Sequence, residues 1–247
     1  MKSPYLFTFI IGYRHKIDRL NNLRKTLDWI NHFNNVEVIL VEQDKHSKIS
    51  ELNLKCKHIF VKSEMPYNRS WSFNVGLKHA QSNIIVFGDS DIIMNPDDFI
   101  AGIKALEKYE MVSPYHSVID LTPEESNLNF DSIISISRPG RGGINISGGI
   151  AMFRKDAIEK IAGWNEQFIG WGGEDDFQTI KVKSLLTWTE LKANSYHFWH
   201  KREVVDNTNY QRSLQILQQA KALTKEQLVS HVDATRGKIG MKNLYDK

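Results

Sequence analysis

Asp89 and Asp91 stand two apart in FGDSDIIM (87–94), His197 and His200 three apart in YHFWH (196–200), and GWGGEDDF (170–177) sets Glu174, Asp175 and Asp176 directly behind three glycines. Each group carries chemistry in its side chains. A D-x-D at a strand end aims both carboxylates into one cleft, with Ser90 turned away. Hard oxygen ligands of that kind hold Mg²⁺ or Mn²⁺ together with substrate phosphates, and they also cap turns. The two imidazoles suit Mn²⁺, and zinc less because it wants more nitrogen or sulfur ligands than gather here; taken alone they fit a packed aromatic cluster with satisfied histidines better than a metal site.

The third group has two readings. Gly170, Gly172 and Gly173 free the backbone for positive φ or for close approach to a ligand, and Trp171 offers a flat apolar face to a sugar ring. The acids open EDDFQTIKVKSLL, which is helical in pattern, and a helix N-terminus favours negative charge. That accounts for one acid better than for three. A general base must come within ~3 Å of an acceptor hydroxyl, so a carboxylate beside a flexible turn is also suited to that task. Glu174 or a neighbour would then hold the acceptor.

The elements that must position these residues alternate along the chain. LFTFII (6–11), VEVILV (36–41), HIFV (58–61) and NIIVFG (83–88) read as strands. Between them, 16–33 carries Ile17, Leu20, Leu23, Leu27 and Ile30 at helical spacing, and 70–80 reads as a helix. The fold class is therefore α/β, a mostly parallel central sheet flanked by helices, which binds ligands beyond the carboxyl ends of its strands. GYRH (12–15), EQD (42–44) and GDSD (88–91) fall at those ends. No GxGxxG follows the first strand and no GxxxxGK[ST] occurs anywhere, so a bound phosphate would need another means of neutralisation.

With 247 residues, the chain is long enough for one substantial core, or one core plus an appendage. Its 32 basic and 29 acidic residues nearly balance, which argues against nucleic acid as the partner. The single cysteine, Cys56, excludes an internal disulfide, fits a reducing compartment, and reads as a small buried apolar residue. No run approaches the ~20 apolar residues of a membrane span, and the N-terminus lacks a signal-peptide pattern, so the expectation is a cytoplasmic protein, with peripheral membrane contact as an option.

Four stretches, YNRSWSFNVG (67–76), FGDSDIIM (87–94), GGIAMFRKDAIEKIAGWNEQFIGWGGEDDF (148–177) and HFWH (197–200), occur in the order and at about the spacing of β-1,4-galactosyltransferase-like glycosyltransferases. The chain resembles that family over roughly residues 5–202, and the same module occurs in chondroitin-type polymerases and polypeptide N-acetylgalactosaminyltransferases. The resemblance implies a GT-A fold, a UDP-sugar donor, a hydroxyl acceptor on a glycan, lipid-linked sugar or protein, and Mn²⁺, with Mg²⁺ as the alternative. It assigns Asp91 and His200 to the metal. His197 stands where the galactosyltransferases have methionine, a departure whose harder nitrogen ligand shifts the metal preference away from strict Mn²⁺. It assigns Arg14, Tyr67, Arg69 and Asp89 to the donor, and Trp171, Gly172 and Gly173 to a mobile loop over it. The second arginine of the family's nucleotide-binding turn is not evident. Asp175 matches the catalytic base, with Glu174, Asp176 and Trp171 on the acceptor side.

The resemblance further divides the chain into a nucleotide-sugar half (1–115), an acceptor half (116–202) and a helical extension with a tail (203–247). The glycine-rich stretch 138–149 reads as a pocket-lining loop or a surface loop. Residues 209–223 and 224–232 read as helices, with Thr224 capping the second, and 233–247 as a polar tail with few anchors. A sugar nucleotidyltransferase and a non-catalytic sugar-nucleotide-binding module are the competing functions. The first leaves the glycine turn and Asp175 without a task, and the second requires the base to be dispensable.

Overall fold

The computed structural model of the chain describes residues 3–127, 132–136, 146, 149–201 and 206–241. In chain order its elements are β1 (Phe7–Tyr13), α1 (Ile17–Ile30), β2 (Val36–Asp44), β3 (Lys57–Lys62), α2 (Arg69–His79), β4 (Ile84–Gly88), β5 (Ile92–Met94), α3 (Pro96–Ala105), β6 (Met111–Ser113) and β7 (Ser117–Asp120). They continue with β8 (Ala151–Arg154), α4 (Lys155–Lys160), α5 (Glu174–Leu185), β9 (Trp188–Glu190), β10 (Asn194–His197), α6 (Asn207–Lys221) and α7 (Lys225–Thr235). Seven strands form the main sheet in the order β3-β2-β1-β4-β8-β6-β9, and β5-β10-β7 form a second, smaller sheet. β3, β2, β1 and β4 run parallel, β8 lies antiparallel to both its neighbours, and β9 is parallel to β6.

The apolar runs are continuous because both faces of the main sheet are covered. Phe7, Phe9 and Ile11 of β1, Val38 and Leu40 of β2 and Val86 of β4 share one core with Leu23, Leu27 and Ile30 of α1 and Phe99 of α3. Their sequence neighbours Ile10, Ile39, Val41, Ile85 and Phe87 enter the opposite core with Trp71 and Phe73 of α2, Ile158 of α4 and Val182 of α5. Strand alternation thus distributes each apolar run between two cores.

The four strands and two helices expected in the first 88 residues are present. α1 ends at Ile30, short of residue 33, and Ile17, expected on its apolar stripe, is 80% exposed at the first helical position. Cys56 is half-buried against the α1-side core, where burial pushes its thiol up to about 11. β6 to β8 and β10 are too short, at three or four residues each, to show a period in the sequence.

α6 and α7 fold back onto α5, with Phe168, Phe177, Leu217 and Ala220 forming a small core. Thr224 caps α7 through a reciprocal capping box with Gln227. The segment after α7 departs from the expected loose tail as far as Met241. Ile239 packs on the main core, the Gly240 N–H donates to Glu166 Oε1 at 2.5 Å, and the Trp71 indole donates to the Met241 carbonyl at 3.1 Å. Gly240, at φ +62°, lets the backbone pass against Asn74, where a Cβ would meet main chain. Residues 242–247 lie outside the described residues, as does the glycine-rich stretch 138–149 apart from Ile146 and Gly149.

Candidate active site

Two clusters of functional side chains stand beyond β4. The first is Asp91, His197 and His200, each of which offers a ligand atom within 4.8 Å of the others. β10 carries His197 there because it pairs with β5 in a register that sets His197 opposite Ile92, next to Asp91. The Phe198 N–H then donates to the Asp91 carbonyl at 2.8 Å, fixing the turn that brings in His200. Asn22 holds the same turn by donating to the Trp199 carbonyl at 2.9 Å.

The hydrogen bonds of the two rings fix their orientation. His197 Nδ1 lies 3.0 Å from Asp120 Oδ1 and His200 Nδ1 lies 3.0 Å from the Lys201 carbonyl, and both of those oxygens accept. Each Nδ1 therefore donates, and each ring turns its Nε2 to Asp91. Those Nε2 atoms sit 3.5 and 3.4 Å from the Asp91 carboxylate. Charge-assisted hydrogen bonds are shorter, ~2.7–2.9 Å. Ligand atoms that share an ion at ~2.1 Å stand roughly 3.0–3.4 Å apart, so the spacing to Asp91 fits a divalent cation. Asp120, which the sequence did not single out, orients the His197 ring through this bond, as carboxylates do beside metal-ligating histidines.

The second cluster centres on Arg69, the first residue of α2. Its Nε donates to Asp89 at 2.7 Å and its Nη1 to Asp175 at 2.6 Å, with Glu174 Oε1 at 3.8 Å. The guanidinium also lies 4.6 Å over the Phe73 ring and 5.4 Å over Trp164. Burial works against its charge, but Asp175, Asp89 and Glu174 outweigh that and hold its pKa well above the ordinary value. Asp89 and Asp91, expected in one cleft, have different partners: Asp91 the imidazoles, Asp89 the arginine. Arg69, assigned to the nucleotide by resemblance, here joins the D-x-D to the acidic helix start.

That helix start depends on the glycines. Gly170, Gly172 and Gly173 have φ of +80°, +102° and +91°. Gly173 occupies the cap of α5, so its main chain turns straight into Glu174 and Asp175. A proline at Gly172 would need negative φ and would strain the resting loop, which makes it a poor probe of loop motion. Trp171 is 64% exposed and packs against Tyr210 of α6 at 5.6 Å between ring centroids. Burial, and then the charge of Asp175, raise the Glu174 pKa to about 7. The unfolded chain releases that proton near 4.5 while the folded chain keeps it, so Glu174 lowers stability as pH rises from about 4.5 to 7. We expect Glu174→Gln to flatten that part of the stability profile, measured by urea unfolding at a series of pH values. An unchanged profile would locate the strain elsewhere.

Residues of α2 hold the turn that leads into the loop. Asn74 donates from Nδ2 to the Trp164 carbonyl and to Glu166 Oε1, both at 2.8 Å, and its Oδ1 accepts from the Trp164 N–H at 2.8 Å. Asn68 caps α2 by accepting from the Trp71 N–H at 2.9 Å and donates to the Glu166 carbonyl at 2.7 Å. The Gly170 N–H donates to the Tyr67 carbonyl at 2.8 Å. In the sequence, SFNVG around Asn74 reads as helix and as part of a stretch that carries the resemblance, with no role for Asn74 itself. Asn74→Ala would strand several of these groups, and we expect a loss of ~2–4 kcal/mol in urea unfolding; a loss below 1 kcal/mol would show that water replaces the network.

At the ends of β1 and β2, Arg14 donates to the carbonyls of Gln43 at 2.9 Å and Met65 at 2.7 Å, and lies 6.0 Å over the Tyr67 ring. Gly12 gives Tyr67 its place, because a Cβ there would collide with the Tyr67 hydroxyl. Asp176 follows Asp175 in the first turn of α5 and is half-buried.

The profile of glycosyl transferase family 2 matches residues 16–162, and that described as the N-terminal domain of galactosyltransferase matches residues 130–200. A curated relative, beta-1,4-galactosyltransferase 5 of Danio rerio, is 27% identical over 115 residues, which are 45% of this chain and 25% of that protein. The match spans about a quarter of that relative's length. Among solved structures, a Drosophila beta-1,4-galactosyltransferase 7 mutant in complex with manganese, UDP-Gal and xylobiose superposes with a TM-score of 0.52 at 16% identity, covering 83% of this chain and 79% of that one. Staphylococcus aureus TarS superposes with a TM-score of 0.61 at 15% identity over 95% of this chain and 43% of that one. At such identities the superpositions speak for the fold, which is GT-A. The family 2 profile spans more than half of the chain and reaches from α1 through Asp89 and Asp91 to α4, so the chain belongs to glycosyl transferase family 2.

Proposed function

We propose that the protein transfers a hexose or N-acetylhexosamine from a UDP-sugar to a hydroxyl acceptor, on a glycan, a lipid-linked sugar or a protein, with a divalent metal and with inversion at the anomeric carbon. The observation that carries this reading is the adjacency of the two clusters, a ligand set suited to a cation and an anchored carboxylate, joined through Asp89 and Asp91. The Drosophila neighbour, with its manganese, UDP-Gal and xylobiose, supports a UDP-sugar donor and a glycan acceptor. We take residues 1–202 as the transferase domain and 203–247 as its extension. No helix among the described residues is long and apolar enough to cross a membrane.

Asp91, His197 and His200 would hold the metal, Mn²⁺ or Mg²⁺, which when bound offsets the charge of the departing diphosphate. Arg14 and Tyr67, at the ends of the parallel strands, line the nucleotide side. Asp89 reaches the donor sugar or ribose from the D-x-D. Asp175 accepts the proton of the acceptor hydroxyl as its oxygen forms the bond to the anomeric carbon and the bond to the UDP oxygen breaks. Arg69 fixes one Asp175 oxygen and so sets the direction from which that proton is taken. Glu174 and Asp176 hold the acceptor, Trp171 supplies a stacking face, and Gly172 and Gly173 let the loop cover the donor and exclude water.

The test is UDP release from a panel of UDP-sugars with Mn²⁺, Mg²⁺ or EDTA, followed by NMR of the product. Release from one sugar, dependent on metal, and a β-linked product from an α-linked donor are expected. An α-linked product overturns inversion, release of pyrophosphate turns the assignment to a nucleotidyltransferase, and no metal-dependent release overturns the function proposed.

A further inference from the structure

Behind α5 lies a cavity of about 440 Å³, bounded by the turn that follows α4, by α5, by α6 and by α7 with the segment after it. α5 turns Phe177 and Lys181 to this cavity, while its first turn carries Glu174 and Asp175 to Arg69. The two sites thus share one helix. The volume lies within the ~300–1,000 Å³ of small-molecule sites.

Its lining mixes apolar walls with hydrogen-bond donors. Phe177 and Val232 are buried, and Ile239 is half-buried beside them. The Trp164 indole N–H and the Asn165 amide nitrogen, on two further lining residues, are buried with no hydrogen-bond partner among the described residues. Native proteins rarely leave buried donors unsatisfied, and an orphaned pair beside one cavity marks where acceptor atoms belong. Lys181, 2% exposed, donates to the carbonyls of Ile161 and Gly163.

The charges around the cavity are unequal in sign. Lys181, Arg212, Lys238 and His231 line it against one carboxylate, Glu166, whose Oε1 is already bonded to Asn74 and Gly240. Arg212 and Lys238 are exposed, and Arg212 makes no ion pair among the described residues. Burial pushes the Lys181 amine down to about 7, and burial followed by the charge of Lys181 lowers the pKa of His231. An anion in the cavity would supply the countercharge that both lack.

We propose that this cavity is a second ligand site, separate from the sugar-nucleotide cleft, for a soluble organic anion. Its acidic group meets Arg212 and Lys238, its ring or chain lies against Phe177, Val232 and Ile239, and its remaining oxygens accept from Trp164 and Asn165. Phosphate alone would satisfy the charges and leave the apolar walls uncovered.

Anilinonaphthalene sulfonate, an aromatic ring system with one acidic group, is the probe. Fluorescence titration of the full chain should saturate at one dye per molecule, with no displacement by UDP and Mn²⁺. The double variant Arg212→Ala/Lys238→Ala, changed only at exposed positions, should weaken binding by ~10-fold or more. Val232→Phe, which fills the cavity from α7, should remove binding while UDP binding persists. Displacement by UDP, several dyes per chain, or unchanged affinity in the double variant would each overturn the proposal, and the double variant decides even where Val232→Phe fails to fold.

Discussion

Asp175→Asn lowers kcat by ~10²–10⁴, the usual contribution of a general base, and leaves the Kd for the UDP-sugar nearly unchanged. The geometry makes this substitution cleaner than removal of the side chain. Asp175 Oδ1 accepts from Arg69 Nη1 at 2.6 Å, and an asparagine oxygen in the same place still accepts that hydrogen bond. Arg69 keeps Asp89 at 2.7 Å, so its buried charge retains a partner and the fold persists. What is lost, on the role proposed for Asp175, is the ability to take the acceptor's proton. Asp175→Ala would instead leave Arg69 short of a carboxylate and confound catalysis with stability. Single-turnover rates with saturating donor, alongside donor binding by calorimetry and a thermal melt, separate these effects. Unchanged turnover in Asp175→Asn would remove Asp175 from the role of base and leave it as an anchor for Arg69.

Asp91→Ala, or chelation of the intact enzyme, is expected to lower UDP release by ~10²–10³, the scale on which preorganised charge stabilisation acts. Asp91 is 4% exposed, its carboxylate lies 3.5 and 3.4 Å from the two Nε2 atoms, and no other acid among the described residues joins that group. Removing Asp91 leaves two imidazoles, which hold a divalent ion far less well than three ligands with a carboxylate among them. The measurement is UDP release and UDP affinity across Mn²⁺, Mg²⁺ and EDTA. Chelated wild type should match Asp91→Ala, and added metal should rescue only the former. Full activity in EDTA would mean that the Asp91–His197–His200 cluster is an ion-pair network and that the protein's own cations neutralise the diphosphate.

The pattern of the sequence determined the parallel half of the sheet. Apolar runs such as FTFIIGY and VEVILV are long enough to show burial on both faces, and α1 and α2 fall between them at crossover spacing. It determined the acidic start of α5 and the capping box of α7 as well, because those signals span only a few residues. The motifs in register also pointed to the family.

What joined the motifs was decided by tertiary structure. Arg69 and Asp175 are 106 residues apart, and no local propensity encodes their ion pair. His197 reaches Asp91 only because β10 enters between β5 and β7, in a register that pairs it with Ile92 on one side and Asp120 on the other. A slip of one residue would turn its side chain to the other face of the sheet. Asn74 and Gly240, without a role of their own in the sequence, hold the approaches to the acidic loop through hydrogen bonds with segments 74–92 residues distant and through the contact of the Gly240 backbone with Asn74. Periodicity records which face of an element is buried. Which distant face it meets follows from strand register and the satisfaction of buried polar groups, and both exist only once the chain has closed on itself.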